Sequence, residues 1–243
     1  MRRNIMGKVY KNIVVLTGAG ISAESGLATF RAANGLWNNH PVEDVATVEA
    51  FARNPAYVHD FYNELKPELQ KAKPNPAHLA LTRLQQEYPA PVSIITQNVD
   101  TLHEKAGSKD IYHIHGQINQ AVCLNCGQVM ENWGDVDTQT ICPHCSVQGM
   151  MKPNIVFFGE NLLYMDKVDR LLAGCDLFIS VGTSGVVFPA AAFVQIAKLH
   201  GAETYEFNLE RTSNNFYFDH HIYGKAGETL PSFVDSLLKT TAE

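Results

Sequence analysis

The chain reads as an α/β protein built on a parallel sheet with crossover helices and carrying a small zinc-binding insert; three observations lead there. Short β-branched runs such as Ile13-Val14-Val15-Leu16, Val92 to Thr96 and Leu177 to Val181 alternate with helical stretches, the pattern of a parallel sheet. The first run opens into Gly18-Ala19-Gly20, a glycine turn ahead of a helix. Between the second and third runs stand Cys123-x2-Cys126 and Cys142-x2-Cys145, fifteen residues apart.

The totals agree with one sizeable core and a smaller appended module: 243 residues, 45% apolar and 18% charged. A net charge of −6 without a long basic run argues against nucleic acid as the main partner, because phosphate contacts need clustered Lys and Arg. Arg2, Arg3, Lys8 and Lys11 precede an apolar run, Ile13 to Leu16, that is too short for a signal sequence. No segment approaches the length that spans a bilayer. A cytoplasmic location is expected, where paired cysteines stay reduced and hold metal.

Taken in order, Gly18-x-Gly20-x-x-Ala23 fits the dinucleotide fingerprint in its Gly/Ala form, with a helix expected from about Ser22 and cut short by Gly26. The unpaired N–H groups of such a turn suit a phosphate. No clear strand ends in an acidic residue about 20 positions further on, where a ribose ligand belongs; Leu27 to Arg31 reads instead as a loop that folds over a nucleotide. Val42 to Phe51 and Pro55 to Leu69 read as two helices, the second capped by Asn54 and limited by Pro67. On it Phe61, Tyr62 and Leu65 form an apolar patch that either packs the module against its neighbour or, through Tyr62 and Leu65, lines a pocket.

Lys73-Pro74-Asn75-Pro76 is a linker, and Ala77 to Tyr88 a helix leading to the strand Val92 to Thr96. Gln97-Asn98-Val99-Asp100 leaves the carboxyl end of that strand, where open α/β sheets bind ligands, although a solvated turn uses the same residues. Ile111 to His115 reads as a strand ended by Gly116. Both His113 and His115 are candidates for proton exchange near neutral pH, and spacing does not choose between them. Cys123, Cys126, Cys142 and Cys145 supply four thiolates to one tetrahedral zinc with no open position, hence a structural metal. His144 is a spacer and Cys175 a buried thiol. Met165 to Ala173 (helix), Leu177 to Val181 (strand), Pro189 to His200 (helix), Thr204 to Asn208 (strand) and Ser232 to Lys239 (helix) complete the chain. The loop Gly182-Thr183-Ser184-Gly185 again suits a phosphate or ribose.

In this order, Gly18 to Ser22, Phe30-Arg31, Gln97 to Asp100, His115-Gly116, the four cysteines, Gly182-Thr183-Ser184 and Asn208-Leu209-Glu210 resemble the sirtuin family of NAD-dependent protein-lysine deacylases, most closely the short bacterial CobB type. The resemblance spans roughly residues 12–238 and implies a Rossmann-like NAD-binding domain (1–31, 75–118 and 158–243). Two insertions would form the small domain, a helical module (32–74) and a zinc-binding module (119–157). It further implies that NAD phosphates lie against Gly18, Ala19 and Gly20 near Ala23, that Phe30 and Arg31 belong to the cofactor loop, and that Gln97, Asn98 and Asp100 surround the nicotinamide and its ribose. Ser184, Asn208 and Ala226 would lie near the adenosine half, and Gly182, Thr183, Leu209 and Glu210 would also bind the cofactor.

His115 corresponds to the family's general base and, with Asn98 and Asp100, makes the catalytic set. The implied reaction transfers the acyl group of a lysine side chain to ADP-ribose, releasing nicotinamide. The partner is an acyl-lysine protein or peptide, added as a strand between loops that match Val156, Phe157, Phe158 and Gly159 on one side and Gly185 to Phe188, including Val187, on the other.

Two departures stand out. Ala28 and Thr29 replace the family's usual proline and aspartate before Phe-Arg. Relatives that remove succinyl or malonyl groups carry a tyrosine and, three residues on, an arginine; here Tyr62 is followed by Leu65, which implies a preference for acetyl or longer neutral acyl groups, with Lys66 as a partial substitute. NAD-dependent oxidoreduction, a noncatalytic NAD-binding module and protein ADP-ribosylation are the competing readings.

Overall fold

The computed structural model describes residues 8–28, 36–37 and 40–241. Its elements, in order, are β1 (Ile13–Thr17), α1 (Ala19–Ser22), β2 (Leu36–Trp37), β3 (His40–Pro41), α2 (Val42–Val45), α3 (Val48–Arg53), α4 (Pro55–Lys71) and α5 (Pro76–Glu87). Then follow β4 (Val92–Thr96), α6 (Leu102–Ala106), β5 (Ile111–His113), β6 (Gly116–Cys123), β7 (Val129–Glu131), β8 (Met151–Ile155), α7 (Met165–Gly174), β9 (Leu177–Val181), α8 (Phe193–Leu199), β10 (Glu203–Asn208), β11 (His220–Tyr223) and α9 (Ala226–Thr240).

β1, β4 and β9 are apolar along their length and buried at every residue, so they are stable only with both faces covered. They lie inside a parallel sheet of order β11-β10-β9-β1-β4-β5. Counted within this sheet, the order is the 3-2-1-4-5-6 of a doubly wound fold, read from the β5 edge or its mirror, and the chain switches direction between β1 and β9. Leu81 and Leu84 of α5 and Phe233 and Val234 of α9 cover one face, and Leu172 of α7 and Phe193 of α8 the other. A second, antiparallel sheet, β7-β6-β8, carries the cysteines. A third apolar cluster joins α2 to α4 with Ile118 of β6 and with Ile155 and Phe157 at and beyond the end of β8. No described helix is long and apolar enough to cross a membrane.

Several boundaries differ from the expectation, each for a local reason. The first helix starts at Ala19 rather than near Ser22, because the Gly18 and Gly20 N–H groups already donate to the Val181 and Gly182 carbonyls and complete the turn. The stretch from Val42 to Phe51 splits, since the Thr47 hydroxyl accepts from Ala50 N–H and caps a new helix. Pro67 does not end α4, which runs four residues further. Lys105 Nζ meets its terminal carbonyls, those of Leu69 and Gln70 with that of Ala72 just beyond. The helix expected from Pro189 begins as a tight turn at Ala190–Ala192 and becomes regular at Phe193. The last helix begins at Ala226, with Pro231 inside it; Leu230, Phe233 and Leu237 pack on the sheet and hold the first turns despite one missing N–H.

The β1 turn and the loop after β9 touch backbone to backbone. A Cβ added at Gly182 would lie 2.4 Å from Ile21 N and 2.6 Å from the Gly20 carbonyl carbon, and Gly182 has a φ of +63°. Gly182→Ala is therefore expected to lower stability by about 2 kcal/mol or more. Urea unfolding checks this, and an unchanged midpoint would show that the two loops can separate freely.

Candidate active site

The carboxyl ends of β1, β4 and β9 open into a cavity of about 570 Å³. Its main-sheet wall is polar: Gly18, Ala19, Ser22, Gln97, Asn98, Asp100, His115, Thr183 and Ser184. The opposite wall is apolar and comes from the third cluster and the segment after β8, with Trp37, Tyr62, Leu65, Val99, Ile155, Val156, Phe157 and Phe158. Gly159 and Val187 also line it. The size and the mixed lining are those of a small-molecule site.

The polar wall is one hydrogen-bonded unit. Asn98 Nδ2 donates to the Gly18 carbonyl and to Ser22 Oγ, both at 3.1 Å. Ser22 Oγ in turn donates to Asp100 Oδ2 at 2.9 Å, while Leu102 N–H donates to Asp100 Oδ1. Burial pushes the Asp100 carboxyl above its ordinary range, and the Leu102 and Ser22 bonds oppose that rise. Ser22, which entered the sequence reading only as a helix start, is thus the hinge between the glycine turn and the loop after β4. Its signal was spacing: one turn into a helix from Gly18, it faces inward.

The two histidines separate here. His113 has both ring nitrogens occupied, Nδ1 by the Asn98 carbonyl at 2.9 Å and Nε2 by Glu104 Oε1 at 2.7 Å. It holds the loop from behind. His115 lies past the strand end, in a turn, and its Nδ1 meets the Gln97 carbonyl at 2.9 Å. A carbonyl only accepts, so Nδ1 carries the proton and Nε2 keeps its lone pair. Nε2 has no partner among the described residues and the ring lines the cavity. Burial lowers the His115 pKa below 6.5, opposed by the Gln97 bond, so the ring is neutral at physiological pH.

Not every expected residue reaches the cavity. Gly20 and Gly182 lie behind it, pressed together, and Gly20 N–H is taken by Gly182; of the turn only Ala19 N–H is without a partner among the described residues. Ala23 is in the tight turn that follows α1, off the cavity wall. Gly185 stands against Asn214. Asn208 supports the site indirectly, its Nδ2 donating to the Thr183 carbonyl at 2.6 Å, and Leu209 and Glu210 are exposed beyond it. Ala226 starts α9, whose Gly227 N–H donates to Glu24 Oε2. Phe30 and Arg31, with Thr29, lie outside the described residues.

Lys66 does not substitute for an arginine at the acyl wall: its Nζ donates to the Gly134 carbonyl and the side chain is absent from the cavity. The acidic side chains that do line it are Glu68, Asp100 and Glu160; among the described residues no lysine or arginine does. The sequence reading missed Glu68 and Glu160, which carry no pattern of their own.

The four cysteine sulfurs lie within 4.8 Å of one another, with Cys123 and Cys145 at 3.7 Å and Cys126 and Cys142 at 3.9 Å. Zn–S bonds of about 2.3 Å in a tetrahedron place sulfurs about 3.8 Å apart, so the cluster fits one zinc ion. Each knuckle closes on a residue at positive φ, Gly127 in the first and Ser146 in the second. His144 is exposed and outside the cluster.

With that geometry in hand, the sequence matches the Sir2 family over residues 18–189, a span that contains the glycine turn, His115, all four cysteines and the loop after β9. The chain is a member of the Sir2 family. An NAD-dependent protein deacylase of Vibrio parahaemolyticus is 52% identical over 231 residues, covering 94% of this chain and 96% of the relative. A Sir2 homologue mutant solved with ADP-ribose superposes with a TM-score of 0.88 at 36% identity, covering 96% of this chain and 94% of that one. Sir2Af2 bound to a myristoylated histone peptide gives 0.74 at 35% identity, with 96% and 93% covered.

For this Sir2-family chain, a chelator is expected to make four of the five cysteines reactive toward a thiol reagent. Cys175 should stay silent, being 3% exposed with its thiol pushed up to about 12 by burial. Titration before and after chelation measures this; four reactive thiols without a chelator would exclude a bound metal.

Proposed function

We propose that the chain removes acyl groups from lysine side chains of proteins in an NAD-dependent reaction, yielding nicotinamide and O-acyl-ADP-ribose. The observation that carries this is the fixed tautomer of His115, a neutral base whose Nε2 is free on the wall shared with Asn98 and Asp100. A noncatalytic NAD-binding module would have no use for such a base, and oxidoreduction would show itself by reduced nicotinamide formed with some substrate.

The residues divide the work as follows. NAD and the acyl-lysine are both substrates and meet in the cavity, the nicotinamide ribose beside Gln97, Asn98 and Asp100 and the phosphates near Gly18 and Ala19. Phe30 and Arg31 complete the cofactor loop, with Gly20, Ala23 and Gly182 shaping the turn and Thr183, Ser184, Asn208, Leu209, Glu210 and Ala226 flanking the adenosine half. The acyl oxygen of the lysine substrate takes the place of nicotinamide on the ribose carbon; His115 Nε2 then takes the proton of a ribose hydroxyl, so that the hydroxyl attacks the acyl carbon, and one water molecule completes the release of free lysine and O-acyl-ADP-ribose. The apolar wall with Tyr62 and Leu65 keeps bulk water from the ribose carbon that nicotinamide leaves.

The peptide backbone is held between Val156–Gly159 and Gly185–Val187. The Val156 carbonyl and the Gly159 N–H have no partner among the described residues, which leaves them for an added strand. The zinc ion, held by Cys123, Cys126, Cys142 and Cys145, supplies structure and no chemistry to the reaction. The division into 1–31, 75–118 and 158–243 against 32–74 and 119–157 is the domain organisation we propose, and a cytoplasmic location follows from thiols kept for metal.

The acyl preference follows from charge. A succinyl carboxylate would face Leu65 and Glu68 with no described cation to pair with it, and an unpaired charge in such a wall is costly. Acetyl-lysine peptide is expected to be turned over at least about tenfold more efficiently than succinyl, in kcat/KM, and Leu65→Arg to narrow that ratio. Mass spectrometry of matched peptides with NAD gives the answer, and faster succinyl removal by the native protein would overturn it.

In the same assay His115→Ala is expected to lose about 10²-fold or more in kcat/KM. Because burial lowers the His115 pKa, the base form persists as pH falls through 6.5, and the acid limb of kcat/KM should fall with an apparent pKa below 6.5. An acid limb centred above 6.5 would contradict the buried neutral ring. Label from NAD left on the protein, with no acyl-ADP-ribose formed, would point instead to ADP-ribosylation.

A further inference from the structure

Lys152 is an uncommon residue: a lysine 5% exposed, next to Pro153 in an edge strand of the zinc-module sheet. Burial lowers its pKa while the bond and charge of Glu160 oppose that. Its partners all belong to one segment. Nζ donates to the Ile155 carbonyl at 3.1 Å and to the two carboxylate oxygens of Glu160 at 2.8 and 2.9 Å. It also stands over the Phe157 ring, 3.9 Å from its centroid, in cation–π contact. Glu160 Oε2 accepts the Phe157 N–H at 2.8 Å, and Glu160 N–H donates back to the Phe157 carbonyl. The ammonium therefore closes the turn Ile155 to Glu160 on itself from within.

That turn connects the halves of the proposed site. Val156 N–H donates to the His115 carbonyl at 2.9 Å, and Phe158 N–H donates to the Ala46 carbonyl at 2.8 Å. Phe157, 2% exposed, stacks on Tyr62 at 5.9 Å between centroids. The free Val156 carbonyl and Gly159 N–H sit on the same turn. Among the described residues, the hydrogen bonds and ring contacts of Lys152, Phe157 and Glu160 do not include the glycine turn, Asn98 or the loop after β9, where the nucleotide would lie.

We propose that the Lys152–Glu160 pair is a positioning element for the acyl-lysine substrate, setting the peptide-pairing edge Val156–Gly159 and the Phe157 acyl wall without acting on NAD. The proposal rests on the deacylase reading. A pair that served stability alone would leave substrate constants untouched once the protein is folded, so the separation of the two KM values is the decisive readout.

The experiment is steady-state kinetics with acetyl-lysine peptide and NAD varied independently, for wild type, Lys152→Met and Glu160→Gln, alongside the melting temperature of each. Glu160 is one-third exposed and glutamine keeps its shape, so that variant tests the idea even if Lys152→Met does not fold. The expected result is a peptide KM raised about tenfold or more in each folded variant, with the NAD KM within about twofold of wild type. An unchanged peptide KM in Glu160→Gln, or peptide and NAD KM values that rise together, would overturn the positioning role. A wild-type protein that neither binds nor turns over acyl-lysine peptide would overturn the functional reading and this proposal with it.

Discussion

The backbone contact between Gly20 and Gly182 is what the rest of the molecule depends on. It joins the turn after β1 to the loop after β9 at the switch point of the sheet, where the crossover direction reverses and a crevice must open. Side chains at either position would push the loops apart, and with them Thr183 and Ser184 on one side and Ala19 and Ser22 on the other. The four-residue α1 is too short for its dipole to organise a site alone. Close approach of main chain does that work here, and the glycines are present for the approach as much as for the turn.

The chemistry of the site comes from burial as much as from residue type. Asp100 and His115 carry ordinary side chains whose properties are set by what they touch: a hydroxyl and an amide N–H for Asp100, a carbonyl for His115. Both are shifted toward their neutral forms by desolvation, and both are held by backbone groups, His115 by the Gln97 carbonyl after β4 and Asp100 by the Leu102 N–H at the start of α6. His113, two residues from His115, shows the contrast. Its ring nitrogens are both engaged in holding the Asn98 carbonyl and Glu104, so it supports the loop it might otherwise have served.

Much of this was legible in the sequence, and the reasons differ by element. β4 and β9 were read at their observed ends because a fully buried strand in a parallel sheet is a continuous apolar run with sharp borders. The zinc cluster was legible because two Cys-x2-Cys turns fifteen residues apart match the spacing of a four-thiolate zinc site. α6, with five residues, offers too few positions for a helical period, and β11, at the sheet edge, mixes His and Tyr with one Ile. Pro67 misled, where terminal capping by Lys105 outweighed one lost hydrogen bond, and the last helix starts earlier than read because packing on the sheet carries it through Pro231. Spacing alone did not choose between His113 and His115, and only the family resemblance pointed to His115, since the physical choice turns on which ring nitrogen meets Gln97 and which meets Glu104. Lys152 and Glu160 left no trace, because a buried ion pair has no periodicity.

The strand order has a further consequence for how the protein is made. β1 is the centre of the sheet, yet Ile13 pairs with Val92 on one side and Leu177 on the other. At about 5–20 residues per second, a ribosome needs roughly ten to thirty seconds to deliver β9 after β1. For that interval the most apolar strand of the protein has an unsatisfied edge, and the crevice that defines the site does not exist. The nascent chain thus carries an open pairing edge at residues 13–17, the kind of edge that invites mispairing, until β9 arrives to close it.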